Sequence, residues 1–132
     1  MSKYTYHNRS LPKNEDSVFV FSSNLAGIHN KGSAKTAMLK FGAKFGRGIG
    51  VSGTSYGIPT KDYDIVTLPL DVIETYITRF IKFTKELKTV EFFVTPIGTD
   101  LSAYSDAQIA PLFKTAGTNC IFPEQWRLYL EI

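Results

Sequence analysis

Glycine and small polar residues that follow an apolar run are the ingredients of a phosphate site, because exposed backbone N–H groups bind phosphate oxygens. The chain offers such a stretch at Gly27-Ile28-His29-Asn30-Lys31-Gly32-Ser33-Ala34-Lys35-Thr36. Gly27 and Gly32 keep the spacing of a GxxxxGK[ST] loop, but Ser33 stands at the lysine position and Lys35 comes too late to replace it. No second strand ends in a clear metal-binding carboxylate, so the triphosphate-hydrolysing reading of this loop fails. A second glycine-containing loop, Ile97-Gly98-Thr99-Asp100-Leu101-Ser102, follows Val90 to Thr95, the most strand-like run in the chain. Two loops that each turn backbone N–H groups toward a ligand suit a diphosphate better than one does.

Those loops must be positioned by regular elements. Ser17 to Phe21 is a short apolar run ending in the polar turn Ser22-Ser23-Asn24, and reads as a buried strand. Ser33 to Phe41 carries Ala34, Ala37, Met38 and Phe41 at helical spacing, with Gly42 closing the helix. Gly46, Gly48, Gly50 and Gly53 follow in a loop where close backbone approach or positive φ is expected. Ser55 to Thr60 is a brief strand. Asp71 and Glu74 have the spacing of a capping box opening a helix. Val72, Ile73, Tyr76, Ile77, Phe80, Phe83 and Leu87 form that helix's apolar stripe, with Lys82, Lys85 and Glu86 outside it. Ser105 and Gln108 suggest a second capping box, with Pro111 kinking or restarting the helix. Asn119 to Phe122 is a last strand, and helical turns are expected after Pro123.

Alternating strands and helices imply one α/β domain with a mostly parallel central sheet flanked by helices. In such sheets ligands bind outside the carboxyl ends of the strands, where the loops after Phe21 and Thr95 fall. At 132 residues, 43% hydrophobic and 20% charged, the chain is expected to be a single globular domain. No apolar segment approaches the roughly 18 residues of a membrane span. The start MSKYTYHNRS has no signal-peptide core, so a cytoplasmic location is expected. One cysteine, Cys120, excludes an intrachain disulfide, and with two histidines a zinc cluster is not expected. Cys120 reads as a small core residue and His29 as an exposed loop residue. The formal charge of +3 favours anionic ligands weakly, and the scattered basic residues do not form a nucleic-acid face.

Three stretches in order, VFVFSSNLAGIHNKGSAKTAMLKFGA, SYGIPTKD and VTPIGTDLSAY, resemble a macrodomain, the three-layer fold that binds ADP-ribose. The resemblance covers about residues 17–123 and points to the lysine-dependent branch. That branch includes the terminal ADP-ribose protein glycohydrolase and antitoxins that remove ADP-ribose from DNA. It implies Lys61 as the catalytic lysine, after Pro59-Thr60; Asp100, a departure from the family pattern, becomes a candidate catalytic carboxylate because Ser102 stands at the branch's acidic position. It also implies a ligand-contacting set of Ser23, Asn24, Leu25, Gly32, Ser33, Ala34, Thr60, Ile97, Gly98, Thr99, Leu101, Ser102 and Tyr104. Asn24 matches the asparagine that faces the distal ribose, and Gly98 the first glycine of an Ile-Gly-Cys-Gly-Leu loop. Asp100 replaces that loop's second glycine, Thr99 stands at its cysteine, and Ser102 occupies the place of an acidic residue.

In this chemistry a neutral Lys61 amine would attack the anomeric carbon, releasing the linked acid or base. A carboxylate would assist ring opening and proton transfer, and Asp100, Asp62 or Asp64 could serve. Without the resemblance, Lys61 reads as a solvated lysine beside Asp62, Asp100 as a surface turn residue, and Asn24 as a structural turn. Two functions stay open: a glycohydrolase acting on ADP-ribosylated protein or nucleic acid, or a module that binds or sequesters an ADP-ribose-type signalling nucleotide. The second suits a small phage or bacterial protein. Neither requires a cofactor or a metal.

Overall fold

The computed structural model describes residues 2–98 and 104–131. Its elements run β1 (Thr5–His7), β2 (Val18–Asn24), α1 (Gly32–Lys40), β3 (Gly50–Ser52), β4 (Ser55–Lys61), α2 (Leu70–Glu86), β5 (Phe92–Val94), α3 (Asp106–Ile109), β6 (Cys120–Pro123) and α4 (Arg127–Leu130). Short 3₁₀ turns at Ala110–Phe113 and Glu124–Trp126 extend α3 and precede α4. One six-stranded sheet has the order β1-β6-β5-β2-β4-β3, parallel except that β3 runs antiparallel to β4.

Strand alternation separates two cores. Val20, Phe92, Val94, Tyr56 and Ile58 join the larger cluster with Ile73, Ile77 and Phe80 of α2, Phe113 and Trp126. Phe19, Phe21 and Phe93 point the other way and pack with Ala34 and Ala37 of α1. The result is the expected three-layer α/β domain. Small residues on the buried face of α1 let it lie close to the phenylalanine rings.

Five local readings change. β2 continues through Ser22 and Ser23 to Asn24 instead of turning after Phe21, because β4 supplies a parallel partner along that whole length. The glycine-rich loop contains strand β3, and the polar N-terminal segment contains β1. α2 begins one residue after Pro69, which makes Asp71 its second residue, with no side-chain cap. Asp71 Oδ1 accepts from the Val72 N–H at 3.0 Å, so the Asp71–Glu74 capping box is absent. Its buried stripe includes Ile81 and Thr84, while Leu87 ends exposed. The second capping box does form: Gln108 Oε1 accepts from the Ser105 N–H at 3.0 Å, and Pro111 sits where α3 tightens to a 3₁₀ turn. Cys120 is fully buried in the larger core, which pushes its thiol pKa up to about 12.

Candidate functional site

The parallel pair β2–β4 slips register at its carboxyl end. Ser23 pairs with Pro59, but Asn24 pairs with Lys61, so one extra β4 residue bulges out. The slip places Lys61 beside Asn24, and the Lys61 carbonyl accepts from Leu25 N–H at 2.9 Å. Asn24 is buried, and its amide closes the next turn: Oδ1 accepts from the Ile28 N–H at 3.0 Å, and Nδ2 donates to the Ile28 carbonyl at 2.9 Å. This two-point clamp fixes the segment leading into α1.

Glycines complete the clamp by backbone contact with the chain itself. Gly27, at φ 70°, lies against Gly46 and Arg47, and its carbonyl accepts from Gly46 N–H at 2.9 Å. A Cβ on Gly48 would stand 1.8 Å from the Asn24 carbonyl oxygen. Ser23 Oγ donates to the Gly48 carbonyl. Gly27 is therefore committed to holding two loops together, which removes the apparent P-loop from its first glycine onward.

His29 corrects an expectation. It is 1% exposed, its ring meets Phe21 edge-on at 5.3 Å, and Nε2 lies 3.1 Å from the Lys44 carbonyl and 2.9 Å from that of Arg47. An Nε2–H donor shared by two carbonyls ties the glycine loop to the β2–α1 segment. Nδ1 is buried without a hydrogen-bond partner.

A cleft opens between these parts, with a cavity volume of about 90 Å³. Of the expected ligand residues, Ser23, Asn24, Ser33, Ala34 and Thr60 line it, together with the expected catalytic Lys61. Ser22, Ile28, Asn30, Lys31 and Ile65 line it as well and were not expected. The described lining carries two lysines and no carboxylate. α1 enters with Lys31 at its N-cap, no side-chain cap and no acidic residue in its first turn. Its partial positive charge is therefore not offset by an acidic side chain in its own first turn. Gly32, at φ 57°, is the first residue of α1. Complete small-molecule pockets occupy roughly 300–1,000 Å³, so the cavity is smaller than a whole ligand pocket.

Other expected residues surround the cleft. The Gly98 N–H donates to Ser22 Oγ at 2.8 Å, which fastens the second loop to the end of β2. Ile97 is wholly buried in the larger core, Leu25 is half-buried against it, and Tyr104 OH donates to the Leu68 carbonyl at 2.8 Å. Asp62 Oδ1 accepts from the N–H groups of Asp64 at 2.8 Å and Val66 at 3.0 Å, capping its own loop. Thr99, Asp100, Leu101 and Ser102 lie outside the described residues. Among the described residues no group of three or more His, Cys, Asp or Glu side chains is placed to share a metal. No described helix is long and apolar enough to cross a membrane.

No protein-family model matches the sequence, and no curated protein sequence matches it. A solved structure does: the macrodomain of Mycobacterium tuberculosis DarG, at 16% identity and a TM-score of 0.63, covering 93% of this chain and 99% of that one. With the parallel sheet, the two helical layers and the cleft at the ends of β2 and β4, that match establishes that this chain has the macrodomain fold.

Proposed function

We propose that the chain binds ADP-ribose, or a closely related NAD-derived diphosphate nucleotide, in the cleft at the carboxyl ends of β2 and β4. One observation carries the reading: the cleft joins two lysines and the uncapped N-terminus of α1 in a lining with no described carboxylate. Such an arrangement attracts an anion, and backbone N–H groups can meet phosphate oxygens there without a bound cation. The macrodomain fold and the second loop, fastened to Ser22 through Gly98, support the choice of a diphosphate.

Calorimetric titration tests it. ADP-ribose is expected to bind more tightly than ATP·Mg or NAD, with no magnesium requirement. Equal or tighter ATP·Mg binding would return the triphosphate reading to the lead.

A second reading adds turnover through Lys61, because Lys61 lines the same cleft. Its amine would bond to the anomeric carbon of the distal ribose as the bond to the acceptor breaks. The acceptor would leave with that electron pair and take up a proton, and water would then release the sugar from Lys61. The acceptor would be a protein side chain or a nucleic-acid group. Asp100 and Asp64 remain the candidates for proton transfer in this reading, since Asp62 already caps its own loop.

A further inference from the structure

Ile65 holds a backbone conformation that its own side chain opposes. Its φ of 63° makes it the one non-glycine residue with positive φ among the described residues. Branching at Cβ crowds the backbone in this left-handed region, which glycine or asparagine fills far more readily. The loop forces the conformation. Asp62 Oδ1 gathers the N–H groups of Asp64 and Val66, Ile65 N–H donates to the Asp62 carbonyl at 3.1 Å, and Asp62 N–H donates to that of Val66 at 2.8 Å. Lys61 and Thr67 then pair as an isolated antiparallel bridge, which closes the loop at its base.

Core packing among the described residues does not compensate for this. Ile65 belongs to neither core cluster and stays 42% exposed. What Ile65 does line is the cleft, which Lys61 lines as well. Strain that the described packing does not offset, in a residue lining the cleft, points to a contact made when the ligand is present.

Resting on the reading of the cleft as an ADP-ribose site, we propose that Ile65 is a ligand-contact and specificity residue. The Asp62–Val66 loop holds it left-handed so that its branched side chain forms an apolar wall beside Lys61. The carbon face of a ribose packs against that wall. The lysines and serines of the lining serve the anionic and hydroxyl groups, and Ile28, Ala34 and Ile65 serve the carbon skeleton. A nucleotide that lacks the second ribose gains little from Ile65.

The test compares ADP-ribose with ADP by calorimetry on wild type, Ile65→Asn and Ile65→Val, alongside thermal melts without ligand. Ile65→Asn is expected to weaken ADP-ribose binding by about fivefold or more while changing ADP binding by less than about twofold. It should also raise the Tm, since asparagine tolerates the left-handed region. Ile65→Val should retain ADP-ribose binding within about twofold of wild type. Undiminished ADP-ribose binding by Ile65→Asn, an equal loss for both nucleotides, or a lowered Tm in that variant would each overturn the proposal. Failure of the wild type to bind ADP-ribose places the fault in the reading of the cleft, and the proposal falls with it.

Discussion

Asn24 and Lys61 come together because β2 and β4 slip by one residue at their shared end, and the two side chains then do different work. Asn24 spends one amide hydrogen and one carbonyl lone pair on Ile28, so it first shapes the cleft wall. Lys61 is half-buried at the cleft, with its backbone fixed by Leu25 and Thr67. If its amine is the nucleophile, it matters in the transition state more than in binding. Lys61→Ala is therefore expected to leave ADP-ribose affinity within about tenfold, or ~1.4 kcal/mol, and to abolish release of ADP-ribose from protein or DNA conjugates. Release that survives the substitution removes Lys61 from the chemistry. No release by the wild type, with binding intact, makes the chain a sequestering module. His29 belongs to the same scale, but its position on a short loop between glycines gave no sign that two carbonyls would bury it.

At the scale of elements, the glycine loop and the β2–α1 segment act as one clamp. Gly48 and Gly46 separate its two requirements. A Cβ at Gly48 would collide with the Asn24 carbonyl, whereas Gly46 has open space but a φ of 86°. Gly48→Ala is expected to cost about 1–3 kcal/mol through forced backbone displacement, and to weaken ADP-ribose binding because Asn24 moves with it. Gly46→Ala should cost about 1–2 kcal/mol from its left-handed backbone and spare the affinity more. Denaturant unfolding and titration on both variants check this, and equal affinity losses would dissolve the distinction. The same elements show what was legible in the sequence. β2, β5 and α2 have continuous or periodic apolar patterns, so their existence was readable, whereas the cleft residues Ser23, Asn24, Ser33, Ala34, Thr60 and Lys61 were named through the macrodomain resemblance. β1 was hidden because its partner β6 is at the other end of the chain, and β3 because its three residues include Gly50. Ser22 was placed in a turn, yet the strand pairing carries it to the cleft. Ile65 reaches the cleft by a backbone conformation that its residue type argues against. Lys31 and Asn30 were within reach of the helix argument, since they immediately precede Gly32.

At the scale of the whole molecule, the two ends of the chain are sewn together by titratable groups. The Glu131 carboxylate accepts from the backbone N–H groups of Lys3 at 2.9 Å and Tyr4 at 3.3 Å, and from Tyr6 OH. The hydrogen bond from Tyr6, then those from the Lys3 and Tyr4 backbone, hold its pKa below the ordinary 4.5. On the same edge strand, His7 stacks on Phe93 at 3.9 Å. His7 Nε2 is 2.8 Å from the Val94 carbonyl while Nδ1 accepts from the Arg9 N–H at 3.2 Å. Those two bonds require the neutral Nε2–H tautomer, and burial lowers the His7 pKa from the ordinary 6.5. Both groups bind protons more readily in the unfolded chain, so each loses its stabilising effect as pH falls: His7 below about 6.5, Glu131 below about 4.5. On the alkaline side, burial pushes the Tyr4 hydroxyl up to about 12 and raises that of Tyr6 further, and the protonated forms are the ones the fold retains. Their contribution is complete below the ordinary value of 10.0 and is lost as pH rises through the folded values. The Tm is therefore expected to be highest near neutral to mildly alkaline pH and to decline on both sides, with the acid decline starting in the histidine range. His7→Gln keeps a donor for the Val94 carbonyl but cannot take up a proton, so it should flatten the melts between about pH 7 and 5 and leave the steeper carboxylate limb below. Melts that fall equally in both proteins over that interval would show that the His7 pairing does not govern how the sheet edge responds to acid.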